Sequence, residues 1–139
     1  MRIEVVPLTA EYFHKVPLPE GVDRRAYFSE GSIALCVLAD GEPVFAGGIV
    51  NMQWNRGEAW IVPSPWYQTH FKTCFKIMRK FIPLMAKDKG FVRVQATCFK
   101  GVSGNFFRHL GFEYEARLAK FGPHGETCDV YTRIFEVVQ

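Results

Sequence analysis

The chain reads as a mixed α+β fold, a sheet with helices on both faces, and three observations carry that reading. A strand-rich first half contains a clear hairpin centred on Asp40-Gly41. One long amphipathic helix, about Trp66 to Lys89, lies between two apolar strand-like segments, Glu58 to Val62 and Phe91 to Cys98. A short helix and two more strand-like segments then close the chain, in the order β-α-β-β.

At the N-terminus, Ile3-Glu-Val-Val6 alternates as a strand does. Thr9 is placed to cap a short helix from Ala10 to Lys15, with Glu11 in its first turn. Val16-Pro-Leu-Pro19 stops that helix. Asp23 to Ser29 fits either a second short helix or an ordered loop. Ser32 to Ala39 and Pro43 to Val50 are the hairpin strands, joined by a type I′ turn at Asp40-Gly41. Gly47-Gly48 inside the return strand marks a bulge or a close backbone approach.

Asn55-Arg-Gly57 reads as a turn into the strand Glu58 to Val62. Pro63-Ser-Pro65 ends that strand and opens the long helix. Phe71, Cys74, Phe75, Met78, Phe81, Ile82 and Met85 recur at three- and four-residue steps as one buried stripe. Lys72, Lys76, Arg79, Lys80 and Lys87 fall largely on other faces. Pro83 is expected to kink this helix or limit its last turns, and Gly90 to cap it. Phe91 to Cys98 is a buried strand, and Val102 to Leu110 a helix closed by Gly111. Strands near Glu113 to Phe121 and Thr127 to Val137 flank the turn Gly122-Pro-His-Gly125.

Composition bounds the function classes. The 139 residues suit one domain, 1–139, with a substantial core. Hydrophobic residues at 48% and aromatics at 15%, thirteen of them Phe, exclude disorder. No apolar run approaches the roughly 20 residues of a membrane span, and the first residues lack the apolar region of a signal peptide. The expectation is a soluble, cytoplasmic protein. Cys36, Cys74, Cys98 and Cys128 stand singly among apolar residues, which predicts buried reduced thiols. His14, His70, His109 and His124 show no ligand spacing, so no metal site is expected. A Cys98 nucleophile with a nearby histidine is a weaker reading. The net charge of +3 allows an anionic ligand without indicating nucleic acid.

The order Glu58 to Pro63, cationic helix, Val92 to Cys98, then Phe106-Phe-Arg-His-Leu-Gly-Phe112 resembles the core of the GNAT family, the acetyl-CoA-dependent N-acetyltransferases. The resemblance covers about residues 30 to 137. It implies a GNAT-like acyl-CoA N-acyltransferase fold, α+β, with a central mixed sheet of six to seven strands flanked by helices. It further implies an acetyl-CoA donor wedged between two splayed parallel strands, with backbone at Ile61 and Val62 holding its arm. Its pyrophosphate would lie at Gln68-Thr69-His70-Phe71-Lys72-Thr73, where the family has Gln or Arg, two residues, Gly, any residue, then Gly or Ala. Gln68 matches; Phe71 and Thr73 replace both small residues. Lys72, Thr69 and His70 are alternative phosphate ligands. The plainer reading of Phe71 is that it begins the buried stripe and no phosphate binds.

Glu58 stands where family members carry a glutamate that deprotonates the acceptor amine; it also reads as a strand-end surface charge. Phe107, four residues before Gly111-Phe112, takes the place of a tyrosine that protonates the departing thiolate, so that acid is missing. His109 is expected to point away along the helix. The acceptor, a small amine or a protein lysine, would be selected by Arg24 to Gly31 and the Gly122 to Gly125 turn. The pattern looks most like the small GNAT-like proteins of short-tailed bacteriophages, including internal virion proteins, which would give a virion location. The competing reading is a GNAT-shaped binding or structural protein without a donor, using Lys72, Lys76, Arg79 and Lys80 on a partner.

Overall fold

The computed structural model describes residues 1–16, 23–62, 64–99 and 104–136. The expected stop at Pro17 to Pro19, Pro63 and the start of the helix expected from Val102 lie outside the described residues. Seven strands form one sheet: β1 (Ile3–Pro7), β2 (Ile33–Ala39), β3 (Glu42–Asn51), β4 (Arg56–Ile61), β5 (Arg93–Phe99), β6 (Glu113–Leu118) and β7 (Cys128–Ile134). Their order across the sheet is β1-β2-β3-β4-β5-β7-β6. Every neighbouring pair is antiparallel except β4 and β5, which run parallel. The mixed α+β sheet expected from the sequence is what forms.

Local chemistry explains the elements. Thr9 caps α1 (Ala10–Lys15), its hydroxyl accepting from the Tyr12 N–H at 3.2 Å. Residues Arg24–Phe28 form a 3-10 helix capped by Asp23, which settles the helix-or-loop alternative. The hairpin turn has φ of 49° at Asp40 and 84° at Gly41, the left-handed pair a type I′ turn needs.

Three local expectations are corrected. The bulge lies between Val37 and Leu38, not at Gly47-Gly48. Close approach is what requires the glycine, since a Cβ at Gly48 would sit 2.4 Å from the Ile33 carbonyl oxygen. The turn before β4 uses Gln53, Trp54 and Asn55, all at positive φ, so the strand begins at Arg56. Of the two outcomes expected at Pro83, limited last turns do not occur: the helix runs to Lys89, as expected, and is capped by Gly90 in the left-handed conformation.

The long helix itself is divided. A short α2 (Pro65–Thr69) and a nineteen-residue α3 (Phe71–Lys89) meet at His70. α3 buries Cys74, Met78, Ile82, Met85 and Ala86 against the sheet, while Phe71, expected in that stripe, is 44% exposed. The sheet's other face carries a smaller core in which Phe13 of α1 and Val16, which caps that helix, meet Cys36, Leu38, Ala46 and Val62. α4 (Asn105–His109) joins the α3 side, burying Phe106 and Phe107. All four cysteines are free and buried.

Candidate active site

The site follows from how β4 and β5 pair. Their parallel register has three steps, Arg56↔Arg93, Gly57↔Val94 and Glu58↔Gln95. Both strands continue, to Ile61 and Phe99, with no further pairing between them. The strands part beyond Glu58 and Gln95.

Peptide groups alternate in direction along a strand, and that fixes what lines the crevice. The Val62 N–H donates to the Ala46 carbonyl of β3 at 2.9 Å, so Glu58 and Trp60 also direct their peptide groups toward β3. Those of Ala59 and Ile61 point the other way, toward β5; the Glu58↔Gln95 step takes up the Ala59 N–H, and beyond it the Ala59 carbonyl and the Ile61 peptide groups have no strand opposite them. Val62 has nothing to offer there, because its carbonyl also accepts from Ser64 N–H at 2.9 Å. Of the two residues expected to hold a donor's arm, Ile61 directs its peptide groups at the crevice and Val62 directs its N–H at β3; strand alternation places the Ala59 carbonyl on the same edge as Ile61.

Side chains divide by the same parity. Ala59 and Ile61 pack toward α3, whereas Trp60 and Val62 join the core beneath α1. Glu58 therefore shares its face with Trp60. Burial pushes its carboxyl above the usual carboxylate range, while the side chains of Thr97 and Gln95 and the Thr97 N–H on β5 pull it back. It is a shielded group at the point of divergence, not a free surface charge. Trp60 stacks on Phe13 (5.6 Å between centroids) and meets Tyr27 edge-on at 4.6 Å. The Trp60 Nε1 is buried without a hydrogen-bond partner among the described residues. Arg24 fixes the 3-10 helix over this wall by donating to the carbonyls of Phe13 and Val16.

The expected phosphate loop is a helix–helix junction instead. Ser64 caps α2 through the Tyr67 N–H at 3.1 Å, with Pro65 in the first turn. Gln68 and Thr69 are exposed on α2. The Thr69 hydroxyl turns back to the Trp66 carbonyl at 3.2 Å, and His70 stacks on Trp66 at 4.2 Å with its Nδ1 3.0 Å from the same carbonyl. Their side chains are used in closing α2. Phe71, Lys72 and Thr73 open α3, where the first N–H groups of a helix have no acceptor inside it. An anion at this end meets those groups, the helix dipole and Lys72.

Aromatic rings join the helix that follows β4 to the helix that follows β5. Phe71 lies 5.9 Å from both Tyr67 and Phe106, and Tyr67 is 5.7 Å from Phe106. Phe106 follows β5 and Tyr67 follows β4, so the three rings bridge the two diverging connections. Phe107 is a core residue, 7% exposed and edge-on to Phe112 at 5.3 Å. The thiols of Cys74 and Cys98 are pushed by burial to about 12 and about 11, which keeps both protonated at neutral pH. Among the described residues no group of three His, Cys, Asp or Glu is arranged to hold a metal ion, and no helix is long and apolar enough to cross a membrane.

No family model matches the chain, and no curated protein matches its sequence. Solved structures do. The ribosomal-protein-S18-alanine N-acetyltransferase of Escherichia coli superposes with a TM-score of 0.76 at 10% identity, over 99% of this chain and 97% of that one. A spermidine N-acetyltransferase variant of Vibrio cholerae gives 0.75 at 8% identity, over 95% and 93%. A GNAT-family acetyltransferase of Bacillus anthracis gives 0.72 at 15% identity, over 96% and 95%. The chain has the GNAT fold. At these identities the likeness is one of architecture, and it extends over nearly the whole length of each partner.

Proposed function

We propose that this chain, as a single domain spanning 1–139, is an acyl-CoA-dependent N-acyltransferase with acetyl-CoA as the donor. The observation that carries the reading is the parting of β4 and β5 beyond Glu58, which leaves the Ala59 carbonyl and the Ile61 peptide groups without a strand opposite them. An extended arm of amides fits such an edge as an added strand does. Its phosphates would meet the opening N–H groups of α3 and Lys72.

The donor supplies an activated thioester carbonyl. Glu58, ionised, takes a proton from the acceptor amine; the nitrogen forms the new bond to the carbonyl carbon and the carbon–sulfur bond breaks. The departing thiolate takes its proton from solvent, since Phe107 has none to give. The aromatic wall of Trp60 and Tyr27, on the sheet face that Glu58 shares, suits a cationic amine. Solved proteins of this fold include enzymes named for spermidine and for a ribosomal-protein alanine, so a small polyamine and a protein amine are the acceptor classes to test first.

One observation favours a second reading, a binding protein without a donor: the Tyr67, Phe71 and Phe106 rings join the helices that follow the two diverging strands, where the donor's phosphates would lie. Calorimetric titration with acetyl-CoA separates the two. Wild-type protein is expected to bind at micromolar to millimolar concentration, and Phe71→Ala about tenfold more tightly, as that junction is relieved of one ring. If neither protein binds at millimolar donor, the transferase reading is lost and the binding-protein reading stands.

A further inference from the structure

We propose that the cleft enclosed by the middle of α3, the end of α4 and β7 is a binding site for a phosphate monoester. A cavity of about 430 Å³ lies there, lined by Arg79, Pro83, His109, Leu110, Gly111 and Arg133. Three of its six lining residues are basic, each comes from a different element, and none of the six is acidic.

The cationic groups are held in place. Arg133 donates from Nη1 to the Leu110 carbonyl at 2.8 Å, and its guanidinium lies 4.7 Å over the Phe135 ring. Gly111, at φ +89°, is in the left-handed region that glycine adopts without strain, and it lies against this guanidinium. The His109 Nδ1 lies 2.7 Å from the Asn105 carbonyl and the ring sits edge-on to Phe75, which leaves Nε2 for a ligand. Arg79 is exposed on the opposite wall. Among the described residues the ion pairs join Arg2 to Glu4, Arg25 to Asp23, Arg93 to Glu115 and Arg117 to Asp129. None neutralises this cluster. Glu136 lines a neighbouring cavity beyond Pro83.

Like charges gathered without a counter-charge repel one another, and a bound anion relieves that repulsion. Two guanidinium forks and an imidazole present more donors than one carboxylate can accept. A phosphate monoester, with close to two charges and three acceptor oxygens, matches them. Arg79 lies eight residues beyond Phe71, about 12 Å along α3, so this site is separate from the helix N-terminus. The phosphate could come from a free ligand or from the terminal monoester on the ribose of a CoA-type donor. The proposal for the cleft does not depend on the transferase reading; only the second source does.

The test is a nuclear magnetic resonance titration of the whole chain with inorganic phosphate, with acetate as control at matched ionic strength. Saturable shifts at the Gly111 amide and the Arg79 and Arg133 side chains are expected with phosphate and not with acetate. The double variant Arg79→Gln, His109→Gln, altered only at exposed positions, should bind phosphate about tenfold more weakly. An equal response to acetate, no saturation, or unchanged affinity in the double variant overturns the proposal. Acetyl-CoA and its 3′-dephospho form then identify the source. A preference for the complete donor that vanishes in the double variant assigns the phosphate to the donor. Equal binding of both donors, with phosphate still saturating the cleft, assigns it to a separate ligand. If phosphate binds and acetyl-CoA does not, the cleft stands and the transferase reading falls.

Discussion

Glu58 couples two properties that should move oppositely with pH. Its carboxyl lies above the ordinary value of 4.5 because burial penalises the charge. A raised carboxyl contributes stability that is complete below the unfolded value and is lost as pH rises through the folded one. Proton abstraction from an amine needs the ionised form, so activity should rise across the same interval. Glu58→Gln removes both dependences, since its amide never ionises but still offers an acceptor to Thr97. Across that interval the variant should gain in stability relative to the wild type as pH rises, while its acetyl transfer falls by about a hundredfold or more. Urea unfolding at several pH values beside an activity profile checks this. A wild type that gains stability relative to Glu58→Gln as pH rises through the interval would show that Glu58 is held as a stabilised anion, against the burial that raises it.

Elements differ in how far the sequence announces them. The Asp40-Gly41 hairpin, the Thr9 cap and the Gly90 stop were legible because each depends on a residue type with one strong local preference. The break at His70 was not. No glycine or proline stands there, and the junction is held by the Trp66–His70 stack and Thr69 hydroxyl, which periodicity cannot register. The same break turned Phe71 out of the expected stripe and engages the Thr69 and His70 side chains with Trp66. Glu58 was legible as a position, but its shielding depends on β5 residues almost forty places away. Ser64 gives the element-scale test, because one hydroxyl both caps α2 at Tyr67 and donates to the Val44 carbonyl at 2.8 Å. Ser64→Ala should cost about 1–2 kcal/mol in thermal or denaturant unfolding, more than a cap alone, since a buried carbonyl loses its donor. A cost within a few tenths of a kcal/mol would mean that water or a shifted turn replaces both bonds.

At the scale of the molecule, the crevice is a consequence of sheet order. β4 is held along its outer edge by β3 to Ile61, and β5 by β7 to Phe99, each through an antiparallel ladder. Between them only three parallel steps remain, so the sheet's two halves diverge as units with the crevice between them. That geometry makes an alternating prediction along one strand. The Ile61 N–H, directed at the crevice, should exchange with solvent at least about tenfold faster than those of Trp60 and Val62, which are directed at β3. Millimolar acetyl-CoA should slow Ile61 and leave Trp60 and Val62 unchanged, because an arm paired with β4 protects only the edge it occupies. Glu58→Gln should preserve the alternation, since the parting depends on backbone register and not on the carboxylate. Uniform protection from Ala59 to Val62 in the free protein would mean that the halves stay joined in solution, and with no open edge there would be nowhere for a donor to lie.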